Sequence, residues 1–215
     1  MRMSRLLTRY WLAIFRLVFG ILGVATVFIL MVNRWDAESF RVSNYFSFFT
    51  IQSNLMAAAI LIYGAVRVIK PDALSRRDIL RGAIMLYMAM TGIVYGLLLS
   101  GYQEALQTTV AWADTVLHKI IPLVMVIDWL VDPPAHRITW RQARWWIVYP
   151  VAYLIYSLIR GPIVDWYPYP FVDPDESGGY LGVAANSVGI SLGVLLAIWL
   201  VIWASKRRAR LVAGA

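Results

Sequence analysis

Thr50, Asp114 and His118 lie in apolar stretches of this 215-residue chain. Their hydroxyl, carboxylate and imidazole groups are the three kinds of side chain that acyl transfer requires. Asp114 precedes His118 by four residues, so on a helix both lie on one face. The carboxylate can therefore accept a hydrogen bond from one ring nitrogen and fix the tautomer of the imidazole. A threonine such as Thr50 becomes a nucleophile when an adjacent base takes its proton.

The same residues also have purely structural explanations, and these stay open. A threonine in a membrane helix commonly donates its hydroxyl to the carbonyl one turn earlier. A single buried histidine is commonly a packed, hydrogen-bonded residue. Residue type and spacing therefore make Thr50 and His118 candidates, but they do not distinguish a catalytic role from a structural one.

The surrounding composition is that of an integral membrane protein. Hydrophobic residues make up 60% of the chain, charged residues 15%, and the mean hydropathy is +0.65. A spanning helix needs about 20 apolar residues, which leaves no length for a separate soluble domain. We predict an all-α, polytopic fold in a single domain, 1–215. Its six spans are expected at about 11–32, 45–66, 82–100, 111–131, 145–161 and 181–204.

Charge placement predicts the orientation of these spans. Fifteen of the 20 basic residues fall before span one, between spans two and three, between spans four and five, and after span six. By the positive-inside rule, both termini and the second and fourth connections are cytoplasmic. The other three connections carry acidic residues, among them Asp36, Glu38 and Glu104. An even number of spans is consistent with both termini lying on one side.

Several function classes are disfavoured by composition. The net charge of +8 comes from basic residues between apolar runs, which is typical of topology signals, so we predict no nucleic-acid partner. The absence of cysteine excludes disulfides, iron–sulfur clusters and a thiol nucleophile. With only His118 and His136, a histidine-rich metal site is improbable. We predict no metal and no organic cofactor.

Three polar residues lie at similar depths in different predicted spans. At 1.5 Å per residue, Thr50, His118 and Asn186 each lie about 9–10 Å from the non-cytoplasmic end of their spans. Intramembrane polar groups are costly and usually functional. Asn54 or Asn186 is a candidate oxyanion donor, and Arg160 is a candidate for holding a substrate carboxylate. Tyr153 lies on a stripe of span five with Tyr149, Tyr156 and Arg160.

Two further features call for interpretation. Arg16 interrupts span one and is expected to pair with a carboxylate such as Asp128, as part of the architecture. The fifth connection contains the aromatic, proline-rich segment 166–171, followed by the acidic and flexible segment 173–179. This segment is either an interfacial aromatic belt or a rigid cap over a cavity.

The run Asn-Tyr-Phe-Ser-Phe-Phe-Thr-Ile-Gln-Ser-Asn, at 44–54, resembles the Tyr-Phe-Thr-x-x-x-Asn signature of small bacterial six-pass membrane proteins. Phe48 stands where that signature has Tyr. Leu117-His118 with Pro122, Asp128-Trp129 and the segment 166–171 fit the same group. These proteins are related to the androgen-induced-gene family of eukaryotic membrane proteins. The resemblance covers spans two to six.

The resemblance implies a threonine hydrolase that cleaves fatty acid esters of hydroxy fatty acids. By motif position, Thr50 would be the nucleophile and His118 the base, in the outer half of a bacterial inner membrane. Membrane lipids and a long-chain lipid ester would be the partners. A lipid- or sterol-binding protein without catalysis is the main alternative. A small transporter is disfavoured because no inverted pair of interrupted spans is evident.

Overall fold

The computed structural model describes residues 2–69, 75–102, 105–106, 108, 110–134 and 137–213. The described residues are mainly helical and contain no strand, in agreement with the predicted all-α class. Lys70, Glu104 and His136 lie outside the described residues.

The long helices follow the apolar runs closely. The elements in chain order are α1 (Arg2–Asn33), α2 (Val42–Tyr45), α3 (Phe49–Ile69), α4 (Ser75–Val94) with a π turn (Tyr95–Leu99), α5 (Ala111–Thr115), a π turn (Val116–Ile120), α6 (Ile121–Val131), α7 (Trp140–Ala143), a 3₁₀ turn (Arg144–Ile147), α8 (Val148–Val164), a 3₁₀ turn (Pro170–Val172) and α9 (Tyr180–Ala213).

Five helical stretches of the described chain are long and apolar enough to cross a membrane: 9–33, 49–67, 78–99, 140–164 and 180–205. Each overlaps one predicted span. The remaining predicted span, 111–131, is helical throughout but carries Asp114, Lys119 and Asp128. The described helices are therefore compatible with a multi-pass membrane protein.

The second predicted span begins later than expected. Its apolar run starts at residue 45, whereas the helix α3 begins at Phe49 after the short helix α2 and a break at 46–48. Thr50 consequently lies in the first turn of a helix and not about 9 Å along one. The break is held open by side chains from distant parts of the chain, as described below.

Close packing of small residues joins α1 to α3. A Cβ added at Gly20 would lie 2.7 Å from Ile62 Cγ1 and 3.2 Å from the Ala58 carbonyl oxygen, so only glycine fits there. By contrast, α8 and α9 present mostly exposed apolar side chains, as expected of helices that face lipid. One buried cluster lies between α3, α4, α6, α7 and α9, with partly buried side chains of α1 packed against it, and the other surrounds the start of α3.

A buried ion cluster joins α1, α4 and α6. Arg16 Nε lies 2.6 Å from Asp128 Oδ1, and Arg81 Nη1 lies 3.0 Å from Asp128 Oδ2. Asp132 Oδ2 lies 2.7 Å from Arg16 Nη2 and 3.4 Å from Arg81 Nη1. The predicted pairing of Arg16 with Asp128 is thus confirmed. Both carboxylates bridge the two buried guanidinium groups, and Asp128 is the centre of the cluster because it is 1% exposed, against 43% for Asp132.

Candidate functional site

The break before α3 is stabilised by side chains that replace helical hydrogen bonds. Gln52 Nε2 donates to the Phe46 carbonyl at 2.8 Å, and the Tyr153 hydroxyl donates to the Ser47 carbonyl at 2.9 Å. The Phe49 N–H in turn donates to the Tyr153 hydroxyl oxygen at 3.2 Å. The backbone groups left unpaired at a helix start are therefore satisfied within the protein.

The predicted stripe on span five packs directly against this break. Along α8, Arg160 Nη2 donates to Asn44 Oδ1 at 2.5 Å, and the Tyr156 hydroxyl lies 2.7 Å from Ser47 Oγ. Near the start of α8, the Tyr149 hydroxyl donates to Gln52 Oε1 of α3 at 2.7 Å. We call the side chains Tyr149, Tyr153, Tyr156 and Arg160 the tyrosine ladder. It ties α8 to residues 43–52 and so positions the first turn of α3.

Thr50 is the buried hydroxyl at this first turn, and its contacts come from the fifth connection. Its N–H donates to the Tyr169 hydroxyl oxygen at 3.1 Å, and its Oγ1 lies 3.4 Å from the same phenol oxygen. Burial raises the pKa of the Tyr169 phenol, so this group stays protonated and can donate to oxygen. The start of a helix also favours negative charge. Tyr169 was not predicted, because nothing in residues 44–54 indicates a partner 119 positions away.

His118 lies on α5–α6 within a separate network. Its Nδ1 is 2.9 Å from Asp114 Oδ1 and 3.2 Å from the Asp114 carbonyl oxygen. Because both neighbours are acceptors, Nδ1 carries the proton and Nε2 is the basic nitrogen. The predicted contact between Asp114 and His118 is confirmed. The carboxylate also accepts from the hydroxyl groups of Thr108, at 2.8 Å, and Tyr95.

Two members of this network, Tyr95 and His118, lie on π turns. Tyr95 begins the turn that ends α4, His118 is in the turn between α5 and α6, and their rings stack with centroids 4.1 Å apart. Single π turns within α-helices often occur at functional sites, because they change the direction of a side chain. Tyr95 was not predicted in this role, since π turns have no simple sequence pattern.

Asn54 links the Thr50 turn to the His118 turn. Its Nδ2 donates to the Thr50 carbonyl at 2.9 Å and to the Leu117 carbonyl at 3.1 Å. Both amide hydrogens are thereby engaged, so Asn54 acts as a brace and has no hydrogen left for an oxyanion. Among the described side chains, its buried Oδ1 accepts no hydrogen bond, and a substrate hydroxyl or water can satisfy it.

Thr50 opens into an apolar cavity of about 320 Å³. Its wall is formed by α3, α4, α8, α9 and the fifth connection. Val151 of α8 and Leu195 of α9 belong to this wall and are 45% and 38% exposed, so the cavity opens sideways between these two helices. Tyr169, Phe171 and Val172 also line it, so the fifth connection forms part of the wall of this cavity.

The structure does not place Thr50 and His118 in direct contact. Among the described residues no hydrogen bond joins them, and His118 is absent from the lining of the apolar cavity. Asp114 and Tyr95 border a second, more polar cavity of about 550 Å³. The two candidate groups lie on turns that Asn54 joins, and of the two only Thr50 lines the apolar cavity.

The remaining predicted site residues have structural partners. Asn186 Nδ2 donates to the Phe171 carbonyl at 3.2 Å and holds the fifth connection, away from Thr50. Arg160 is the last member of the tyrosine ladder, with its guanidinium 5.3 Å from the ring centre of Trp166. Within the described chain, no group of three potential metal-ligating side chains occurs.

Comparison with known proteins finds no matching family model, curated protein or solved structure. Functional inference therefore rests on the geometry of the site and on the motifs of residues 44–54 and 117–129.

Proposed function

We propose that this protein hydrolyses a carboxylic ester of a long-chain lipid, of the type formed between a fatty acid and a hydroxy fatty acid, with Thr50 as nucleophile. The observation that carries the proposal is the position of the Thr50 hydroxyl. It is a buried polar group in the first turn of α3, next to a protonated phenol and at the wall of an apolar cavity that opens sideways. Such a cavity suits an apolar chain with one polar linkage.

In the proposed reaction, the Thr50 oxygen attacks the ester carbonyl while His118 Nε2 takes the hydroxyl proton. The Tyr169 phenol donates to the developing oxyanion, and the helix start adds favourable electrostatics. His118 then returns the proton to the leaving alcohol, which leaves an acyl-threonine. A water molecule, deprotonated by His118, releases the acid and restores the Thr50 hydroxyl. Asp114 keeps the imidazole in the required tautomer.

This mechanism requires Thr50 to exchange its contact with Tyr169 for one with His118 Nε2 when substrate enters. Catalytic hydrogen bonds are often long or absent before substrate binds. Asn54 supports this step, because one nitrogen atom donates to a carbonyl of the Thr50 turn and to one of the His118 turn. The two turns are therefore held next to each other.

Lipid binding without hydrolysis is the second candidate function. The observation that favours it is the absence of any hydrogen bond between Thr50 and His118 in the described residues, together with the absence of His118 from the lining of the Thr50 cavity. In this case Thr50 and Tyr169 would only supply polar contacts to a bound lipid.

Substituting Tyr169 with Phe separates the two candidates. If the phenol stabilises the oxyanion, Tyr169→Phe should lower kcat about 10²–10³-fold, the effect of removing one such donor. Lipid binding should weaken by no more than about tenfold, the loss of one hydrogen bond, because the ring and its stacking on Phe171 remain. The assay is release of free fatty acid from a fatty acid ester of a hydroxy fatty acid by purified protein in nanodiscs.

Tyr45→Phe is the matched control, because it removes a buried phenol hydroxyl that donates to the Val27 carbonyl and lies outside the tyrosine ladder. It should keep near-normal turnover. Tight lipid binding by the wild type with no detectable acid release would leave lipid binding as the function and exclude hydrolysis of this ester.

The six-span topology is part of the same proposal, with both termini in the cytoplasm of a bacterial cell and the fifth connection outside. Since the chain has no cysteine, a thiol reagent reacts only with a cysteine that is introduced, and its reaction reveals the side of the membrane on which that position lies. Glu176→Cys, at an exposed position of the fifth connection, should react with an impermeant thiol reagent in intact cells. Arg137→Cys, exposed on the predicted cytoplasmic side, should react only after lysis. The opposite labelling pattern would invert the orientation.

A further inference from the structure

The first, third and fifth connections converge on a polar pocket of about 580 Å³ that lies apart from the Thr50 cavity. Its described lining consists of Arg34, Ser39, Asn44, Gly101, Tyr102, Ala105 and Trp166. Trp166 packs edge-on against Phe48 with ring centroids 5.4 Å apart, and no lining residue of this pocket also lines the Thr50 cavity. The pocket therefore belongs to a different part of the molecule from the proposed active site.

The polar groups that line this pocket can all donate hydrogen bonds. Asn44 is the informative residue, because its Oδ1 accepts from Arg160 Nη2 at 2.5 Å. Its Nδ2 is consequently left as a donor. The guanidinium of Arg34, the hydroxyl groups of Ser39 and Tyr102, and the indole N–H of Trp166 are donors as well. A cluster of donors favours an anion.

Charge supports the same conclusion. Within the described residues, Arg34 makes no salt bridge, and its buried Nε has no hydrogen-bond partner. An unpaired buried donor on a charged group costs free energy until an acceptor arrives. The nearby carboxylates of Asp36 and Glu38 are exposed and are not part of the lining. Arg160, stacked on Trp166, adds a second positive charge beside the pocket.

We propose that this pocket binds a phosphate group through Arg34 and Asn44. Guanidinium groups bind phosphate through paired N–H donors, which a single amine cannot reproduce. The phosphate can belong to a phospholipid headgroup or to a soluble anion. The site does not depend on the hydrolase proposal, because none of its lining residues contacts Thr50 or His118.

The test uses the full chain in detergent, with binding followed by native mass spectrometry for lipids and by calorimetry for inorganic phosphate. Phosphatidylglycerol is the lipid probe, and diacylglycerol, which lacks phosphate, is its control. Arg34→Gln should weaken phosphate-dependent binding at least about tenfold, since a hydrogen bond to a charged group contributes that much or more to affinity. Arg41→Gln is the matched control, because Arg41 donates only to the carbonyls of Glu38 and Phe40.

The two probes distinguish a lipid headgroup from a soluble anion. Binding of phosphatidylglycerol alone, lost in Arg34→Gln, identifies a lipid headgroup as the ligand, and an equivalent result with inorganic phosphate identifies a soluble anion. Equal affinity in the wild type and Arg34→Gln for both probes overturns the proposal, as does an equal loss in Arg41→Gln. Arg34→Lys, which keeps the charge but not the fork, should bind with intermediate affinity and replaces Arg34→Gln if that variant does not fold.

Discussion

Thr50→Ala, His118→Ala and the double variant should lose ester hydrolysis to nearly the same extent, by about 10³-fold or more. A nucleophile and its base act as one unit, so removing the second after the first has little further effect. General-base catalysis of this kind typically contributes about 10²–10⁴-fold. Thr50→Ser should retain part of the turnover, because the hydroxyl survives while the methyl group that restricts its rotamer is lost. Steady-state hydrolysis of the lipid ester in nanodiscs measures all four variants.

Thr26→Ala provides the matched control for these variants. Thr26 is equally buried, and its hydroxyl donates to the Leu22 carbonyl at 2.7 Å, as a purely structural threonine does. It should keep wild-type turnover. If a folded Thr50→Ala protein also does so, Thr50 is structural too and the hydrolase mechanism fails. Losses in the single variants that multiply in the double variant would show instead that Thr50 and His118 act independently.

Asp128→Asn should be strongly destabilising, by about 3–5 kcal/mol, the cost of removing one partner from a buried ion pair. Its carboxylate is 1% exposed and bridges Arg16 and Arg81, so the substitution leaves these two buried guanidinium groups to the more exposed carboxylates of Asp132 and Asp78. Thermal unfolding in detergent, followed by circular dichroism, should show a clearly lower Tm. Turnover at low temperature should persist in the folded fraction, because the cluster does not contact Thr50.

Two aspartate variants complete this comparison. Asp132→Asn should have a smaller effect, since that side chain is 43% exposed and water can replace part of its interaction. Asp36→Asn, at an exposed position of the first connection, should leave Tm unchanged. If Asp128→Asn and Asp36→Asn unfold at the same temperature, the ion cluster does not contribute to stability.

Local spacing was enough to predict several features of this protein. The apolar runs located the long helices, because about 20 consecutive apolar residues are stable only as a helix in a membrane. The four-residue interval between Asp114 and His118 predicted their contact, since helix geometry alone brings such positions together. Arg16 and Asp128 were predicted to pair because a buried charge is too costly without a partner. The orientation of the spans remains a prediction from charge.

Only the tertiary structure decided what surrounds Thr50. The break before α3 lies inside an apolar run and exists because Gln52 and Tyr153 satisfy its backbone groups. Tyr169 reaches Thr50 from 119 residues away, and Tyr95 reaches His118 through a π turn. Such contacts depend on how helices pack and on which backbone hydrogen bonds are replaced, and neither follows from periodicity. The same packing keeps His118 out of the lining of the Thr50 cavity, although the predicted depths of the two residues are equal.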